Sequence, residues 1–182
     1  PGGQDSILAT LDAHPNNELR LSKPFANRSF RAGDFLGDFQ RVNRRMHNKS
    51  FTPDNQVAIV GGRNIGDEYF GANTEVGFQD LDVMTVGPVV REVSQEFDLF
   101  WNSASAYPGA SLLPVAPSDG LAQLQASWEA NRNREEARDY IEATRRTPLV
   151  TQVMQGKLDF EWTSAHVLHD DPAKALQPAD RT

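Results

Sequence analysis

The chain has 182 residues, a formal net charge of −7 and no cysteine. That length can bury the core of one domain or one and a half. The missing cysteines exclude disulfides, thiol catalysis and cysteine-held metal, and leave the redox compartment undecided. The acidic balance argues against a nucleic-acid partner, whose phosphates call for a basic footprint. No apolar run of about 18 residues occurs, so no stretch reads as a membrane span.

In chain order, residues 1–4 read as a loop. A short helix over Ile7, Leu8 and Leu11 follows, capped by Asp5 or Ser6 and ended by His14-Pro15-Asn16-Asn17. Glu18 to Leu21 alternates like a strand. Phe30 to Asn43 carries Phe30, Phe35, Leu36, Phe39 and Val42 at helical spacing, broken by Gly33 and Gly37. Basic residues gather at Arg28, Arg31, Arg41, Arg44 and Arg45, either a solvated surface or a patch for anionic headgroups, where each cation contributes about 1 kcal/mol.

From Arg45 to Gly66 the sequence is RMHNKSFTPDNQVAIVGGRNIG. Gln56 to Val60 is apolar and β-branched, as a buried strand should be. Thr52-Pro53-Asp54-Asn55 is a turn signal, so the stretch predicts a β-hairpin. Residues i and i+2 of a strand share a face, which sends His47 and Lys49 into one pocket. Imidazole, ammonium and amide groups suit phosphate chemistry. Gly61 and Gly62 allow a sharp turn or close approach to an anion.

Asp67 to Thr74 reads as a polar loop. Asp80 to Val86 predicts a strand, with Leu81, Val83 and Thr85 on one face and Asp80, Asp82 and Met84 on the other. Pro88 opens a helix through Phe97 and Trp101. Strand and helix in alternation favour an α/β layer fold. Asn102 to Asp119 is rich in Ser, Ala, Gly and Pro and reads as a linker. Leu121 to Thr147 is helix-forming with a charge-dense middle, ended by Thr147-Pro148. Asp159 to Leu168 predicts a strand. His166 and His169 beside Asp170 and Asp171 are too ordinary a grouping to predict a metal site, so no metal and no cofactor is expected. Neither G-x-G-x-x-G nor G-x-S-x-G occurs.

His47, Lys49, Asp54, Gly61, Gly62 and Asn64 together match H-x-K-x4-D-x6-G-(G/S)-x-N, and the chain resembles the phospholipase D superfamily. The segments Leu11–Phe25, Phe78–Val90 and Phe97–Asn102 narrow the resemblance to bacterial cardiolipin synthases of that type. The fold it implies is α/β, a mixed sheet flanked by helices, followed by the start of a second similar domain. Residues 1–101 would be the later part of the first domain, 102–120 a linker, and 121–182 a helical connection leading into the second. Such proteins carry two motifs, and this sequence carries one. It begins at Pro1 without an initiator Met and ends in a polar segment, and so reads as the middle of a longer protein.

The resemblance implies a phosphatidyltransferase that makes cardiolipin in two steps through a phosphohistidine. His47 would be either the nucleophile or the general acid. Lys49 and Asn64 would grip the phosphate oxygens. Asp54, the motif's acid, fits a structural or charge-balancing part of the catalytic set better than proton transfer. A catalytic histidine needs an acceptor to fix its tautomer; Asp80 is expected to serve, with Glu75 and Asp82 as alternatives. The implied partners are an anionic phospholipid such as phosphatidylglycerol, an alcohol acceptor, a second motif elsewhere in the longer chain, and a membrane surface. The implied location is peripheral to the bacterial inner membrane or cytoplasmic. Two other readings stand beside this one. One is a phosphodiesterase or nuclease that dimerises to complete its site, and the other is a half-site that binds without turnover.

Overall fold

The structure, a computed structural model, describes residues 2–22, 47–65 and 80–175. The helix expected over Phe30–Asn43, the five arginines from Arg28 to Arg45, the loop Asp67–Thr74 and Glu75 lie outside the described residues.

The chain divides into two compact units, one of residues 1–17 and 113–164, the other of residues 18–112 and 165–182. The second unit holds every strand among the described residues. Its centre is an antiparallel meander of β2 (Ser50–Phe51), β3 (Val57–Gly61) and β4 (Asp82–Val86), in the order β2-β3-β4. The expected hairpin is β2–β3, with Ser50 opposite Val60 and Phe51 opposite Ile59. Its turn has Asp54 at φ 51° and Asn55 at φ 53°, the left-handed region that short polar side chains tolerate best. Ser94 donates to the Asn55 side-chain oxygen at 2.7 Å, tying the turn to the following helix.

That helix, α2 (Val89–Trp101), starts directly after Pro88, as the sequence predicts. Strand alternation puts Ala58, Val60, Val83 and Thr85 on one sheet face, and the register aligns Ala58 with Thr85 and Val60 with Val83. Helix α2 packs on this face at Ala58, which forms a small buried core with Val90 and Val93, while Val60 and Val83 stay exposed. Val167, far along the chain, packs against the same cluster. Glu92 fixes it there: Oε2 accepts from the Val167 N–H at 3.0 Å, and Oε1 lies 3.4 Å from His166 Nδ1.

A second pair, β1 (Arg20–Ser22) with β5 (Ala106–Pro108), is also antiparallel. Arg20 joins it to α2: its guanidinium lies 4.8 Å from the Trp101 ring centre and donates to the Trp101 carbonyl at 2.8 Å. Strand β5 sits inside the stretch expected to be a linker. Ser, Gly and Pro composition signals irregular backbone, yet it does not prevent a three-residue pairing where a partner edge is available. The described strand pairs are all antiparallel, and the parallel neighbour of a mixed sheet is not among them. With helix on sheet, the chain has the α/β phospholipase D-like class of fold.

The first unit is helical. Helix α1 (Gly2–Asp12) begins earlier than the expected Asp5 or Ser6 cap, taking in residues read as a loop. The helix-forming stretch after Leu121 divides into α3 (Gly120–Arg132) and α4 (Glu135–Arg145), with a break at Asn133-Arg134. Thr147-Pro148 ends α4 as expected and also starts α5 (Pro148–Met154): Thr147 Oγ1 accepts from the Val150 N–H at 3.4 Å, and proline fills the first turn, where its missing N–H costs nothing. Gly120 packs on α1, where an added Cβ would meet Thr10 Oγ1 at 2.5 Å. The strand expected over Asp159–Leu168 is absent from the described residues. A strand needs a neighbouring edge to satisfy its backbone groups, and Val167 gives its N–H to a carboxylate instead.

Candidate active site

The candidate site is the open end of the meander, opposite the Asp54 turn. The ladder continues one residue beyond β2, because the Gly61 N–H donates to the Lys49 carbonyl at 3.3 Å. Gly61 in turn aligns with Asp82. Lys49, Gly61 and Asp82 therefore form one cross-strand row, on the sheet face away from α2. His47 precedes the ladder and is exposed. Lys49 curls back towards it, its Nζ donating to the His47 carbonyl at 2.8 Å.

The two glycines are explained by what lies over them. A Cβ on Gly61 would fall on the Asp82 carboxylate and come within 2.9 Å of the Asp82 Cα. A Cβ on Gly62 would fall on both carboxylate oxygens of Asp80. Of the two roles the sequence leaves open, close approach is the one this geometry displays, and the anions are the chain's own carboxylates.

Arg63 follows the glycines and was not singled out by sequence. Its buried Nε lies 2.8 Å from Asp82 Oδ2, a contact of charge rather than an aligned hydrogen bond. Its Nη2 donates to the Asp80 carbonyl at 3.3 Å. The available signal was a cation within G-G-x-N, facing acids at alternate positions of the next strand. Asn64 comes next and is exposed.

The fold thus brings His47, Lys49, Arg63, Asn64, Asp80 and Asp82 to one end of one sheet. It does not bring Asp54 there. Asp54 occupies the hairpin turn, at the opposite end of the β2–β3 ladder from Lys49. The expected bond between Asp80 and the His47 ring is not formed; Asp80 Oδ1 accepts the Leu81 N–H at 2.9 Å instead. Among the described residues, no group of three or more metal-binding side chains occurs, and no helix is long and apolar enough to cross a membrane. His166 and His169 lie apart in their contacts, the first with Glu92 and the second with the Asp170 carbonyl. A surface hollow along α3 and α4, lined by Arg132, Arg138, Glu142 and Arg145, contains no motif residue.

A motif hairpin with His47, Lys49 and Asn64 at its open end, near Asp80 and Asp82 and backed by one helix, carries the residue set expected of a phospholipase D-like site. Comparison with known proteins gives the class its particular form. The chain is 44% identical over 182 residues to cardiolipin synthase C of Escherichia coli, a match spanning 98% of this chain and 38% of that protein. It is 40% identical over 113 residues to cardiolipin synthase A of Pseudomonas fluorescens SBW25, covering 60% of this chain and 22% of the relative. With the major cardiolipin synthase of Bacillus subtilis it shares 36% identity over 75 residues, 41% of this chain and 16% of the relative. The chain is a cardiolipin synthase-like member of the phospholipase D superfamily. It spans well under half the length of these relatives. No family model and no solved structure matches it.

Proposed function

We propose that this chain contributes one half of the active site of a phosphatidyltransferase that makes cardiolipin. The observation that carries the reading is the complete H-x-K-x4-D-x6-G-G-x-N set on one hairpin, in a chain similar along 98% of its length to a cardiolipin synthase. The other half-site would come from a second motif elsewhere in the full-length protein.

The chemistry follows from the residue types. One of two histidines attacks the phosphorus of an anionic phospholipid, such as phosphatidylglycerol, forming an N–P bond. As the P–O bond to the headgroup alcohol breaks, the other histidine gives that oxygen its proton. An acceptor alcohol then loses its proton to the second histidine and attacks phosphorus, and the N–P bond breaks. His47 is one member of this pair. Lys49 and Asn64 hold the non-bridging oxygens, where charge builds in the transition state. Asp80 accepts from the second His47 nitrogen once the site is complete; catalytic hydrogen bonds are often long without substrate and tighten in the reacting complex. Asp54 shapes the hairpin turn rather than moving protons. The substrate places the protein at a membrane surface, with the arginines from Arg28 to Arg45 supplying attraction to anionic headgroups. On this reading the chain in isolation turns nothing over.

The test uses full-length protein carrying this sequence, supplied with phosphatidylglycerol vesicles and assayed for cardiolipin. His47→Ala should abolish product and leave the fold intact by circular dichroism. Full turnover by that variant would sink the reading. Cleavage of a nucleic-acid diester by this chain as a dimer would replace it.

A further inference from the structure

We propose that Arg63 is a positioning residue, which through Asp82 and the Asp80 backbone sets the places of Asn64 and Asp80. The proposal deepens the reading above and rests on it for its kinetic arm. Arg63 stands between Gly62 and Asn64, at the motif's variable position. Its side chain crosses to the next strand, with Nε 2.8 Å from Asp82 Oδ2 and Nη2 donating to the Asp80 carbonyl at 3.3 Å. One planar cation therefore bridges two backbone segments that carry reacting groups.

Three features make this bridge more than a surface ion pair. The Arg63 and Asp82 side chains are 33% and 27% exposed, so water screens the pair less than at an open surface. Gly61 has no side chain, which lets the Asp82 carboxylate lie over the strand. Gly62 does the same for Asp80. Remove the guanidinium, and the Asp82 carboxylate loses its cation while the Asp80 carbonyl loses its Arg63 donor. The loop carrying Asn64 would lose this contact with Asp82. Lysine keeps the charge but cannot span both partners with a rigid fork.

The experiment compares Arg63→Met, Arg63→Lys, Asp82→Asn and the Arg63→Met/Asp82→Asn double variant in full-length protein. Expected are falls in kcat of roughly tenfold for Arg63→Met and Asp82→Asn, with KM changing less than about twofold. The double variant should be no worse than either single one, because the pair acts as a unit. Arg63→Lys should recover part of the loss. A second readout is exchange of the Leu81 amide, whose partner is Asp80 Oδ1 at 2.9 Å; it should quicken in Arg63→Met. Unchanged kcat, a loss confined to KM, or additive losses in the double variant would overturn the proposal. If the unaltered protein does not make cardiolipin, the functional reading fails, and amide exchange alone decides: an unchanged Leu81 rate then overturns the positioning role.

Discussion

The carboxylate of Asp80 occupies the place where a side chain on Gly62 would begin. Next to it, Asp82 has the same relation to Gly61, but there the backbone is also close, with the Asp82 Cα 2.9 Å from an added Cβ. The two glycines should therefore respond differently to one added carbon. Gly61→Ala must push strand β4 and should cost about 1–3 kcal/mol, seen as a lower denaturant midpoint. Gly62→Ala displaces only the end of the Asp80 side chain. It should leave stability nearly unchanged while lowering kcat, a split that steady-state rates and a denaturation curve on the same sample would reveal. Equal stability losses at both positions would contradict this account.

Lys49 and Asn64 should share a kinetic signature. If both stabilise charge that develops at phosphorus, Lys49→Met and Asn64→Ala each lower kcat by about 10²–10³-fold, with KM moved far less. His47→Ala should fall further, by roughly a thousandfold or more. Cardiolipin formation by the full-length variants checks the order. A Lys49 variant altered only in KM would assign that residue to binding instead.

Asp54 is expected to report on the turn. At φ 51° it sits where most side chains pay about 1–2 kcal/mol. Asp54→Asn and Asp54→Gly should keep the fold's stability, whereas Asp54→Val should lower it by about that amount. Activity should follow stability across the three. Loss of turnover in a fully stable Asp54→Asn protein would instead place the carboxylate in the chemistry.

Glu92 holds the late segment to the core through Val167 and His166. Glu92→Ala removes the acceptor of the partly buried Val167 N–H and should cost about 0.5–1.5 kcal/mol. Limited proteolysis should then cut between residues 160 and 170 sooner than in the unaltered protein. Unaltered cleavage there would show that apolar packing of Val167 suffices.

Much of the site was readable because a hairpin announces itself locally. Pro53-Asp54-Asn55 encodes the turn, β-branched residues encode β3, and Pro88 opens α2. Motif spacing then places Lys49 and the glycines without tertiary information. What sequence could not convey was long-range. The Arg63–Asp82 pairing depends on register between β3 and β4, which 20 intervening residues, 62 to 81, leave unstated. Strand β5 was hidden because its pairing with β1 crosses some 85 residues and its own composition reads as loop. The strand expected over Asp159–Leu168 forms no pairing, because its Val167 N–H goes to the Glu92 carboxylate instead of a neighbouring strand. Thr147 was read as a stop, although the same residue also caps the next helix.

The Glu92–Val167 contact joins residues 75 positions apart. A ribosome adding about 5–20 residues per second needs roughly 4–15 s to cover that interval. For that time the Val90–Val93 ridge of α2 has been synthesised, but the valine that closes over it has not. The motif hairpin and its helix must accordingly hold their own shape during synthesis, and the finished unit is sealed only when the chain returns. Until that return the Val90–Val93 ridge is exposed apolar surface, the kind that makes partly folded chains prone to association.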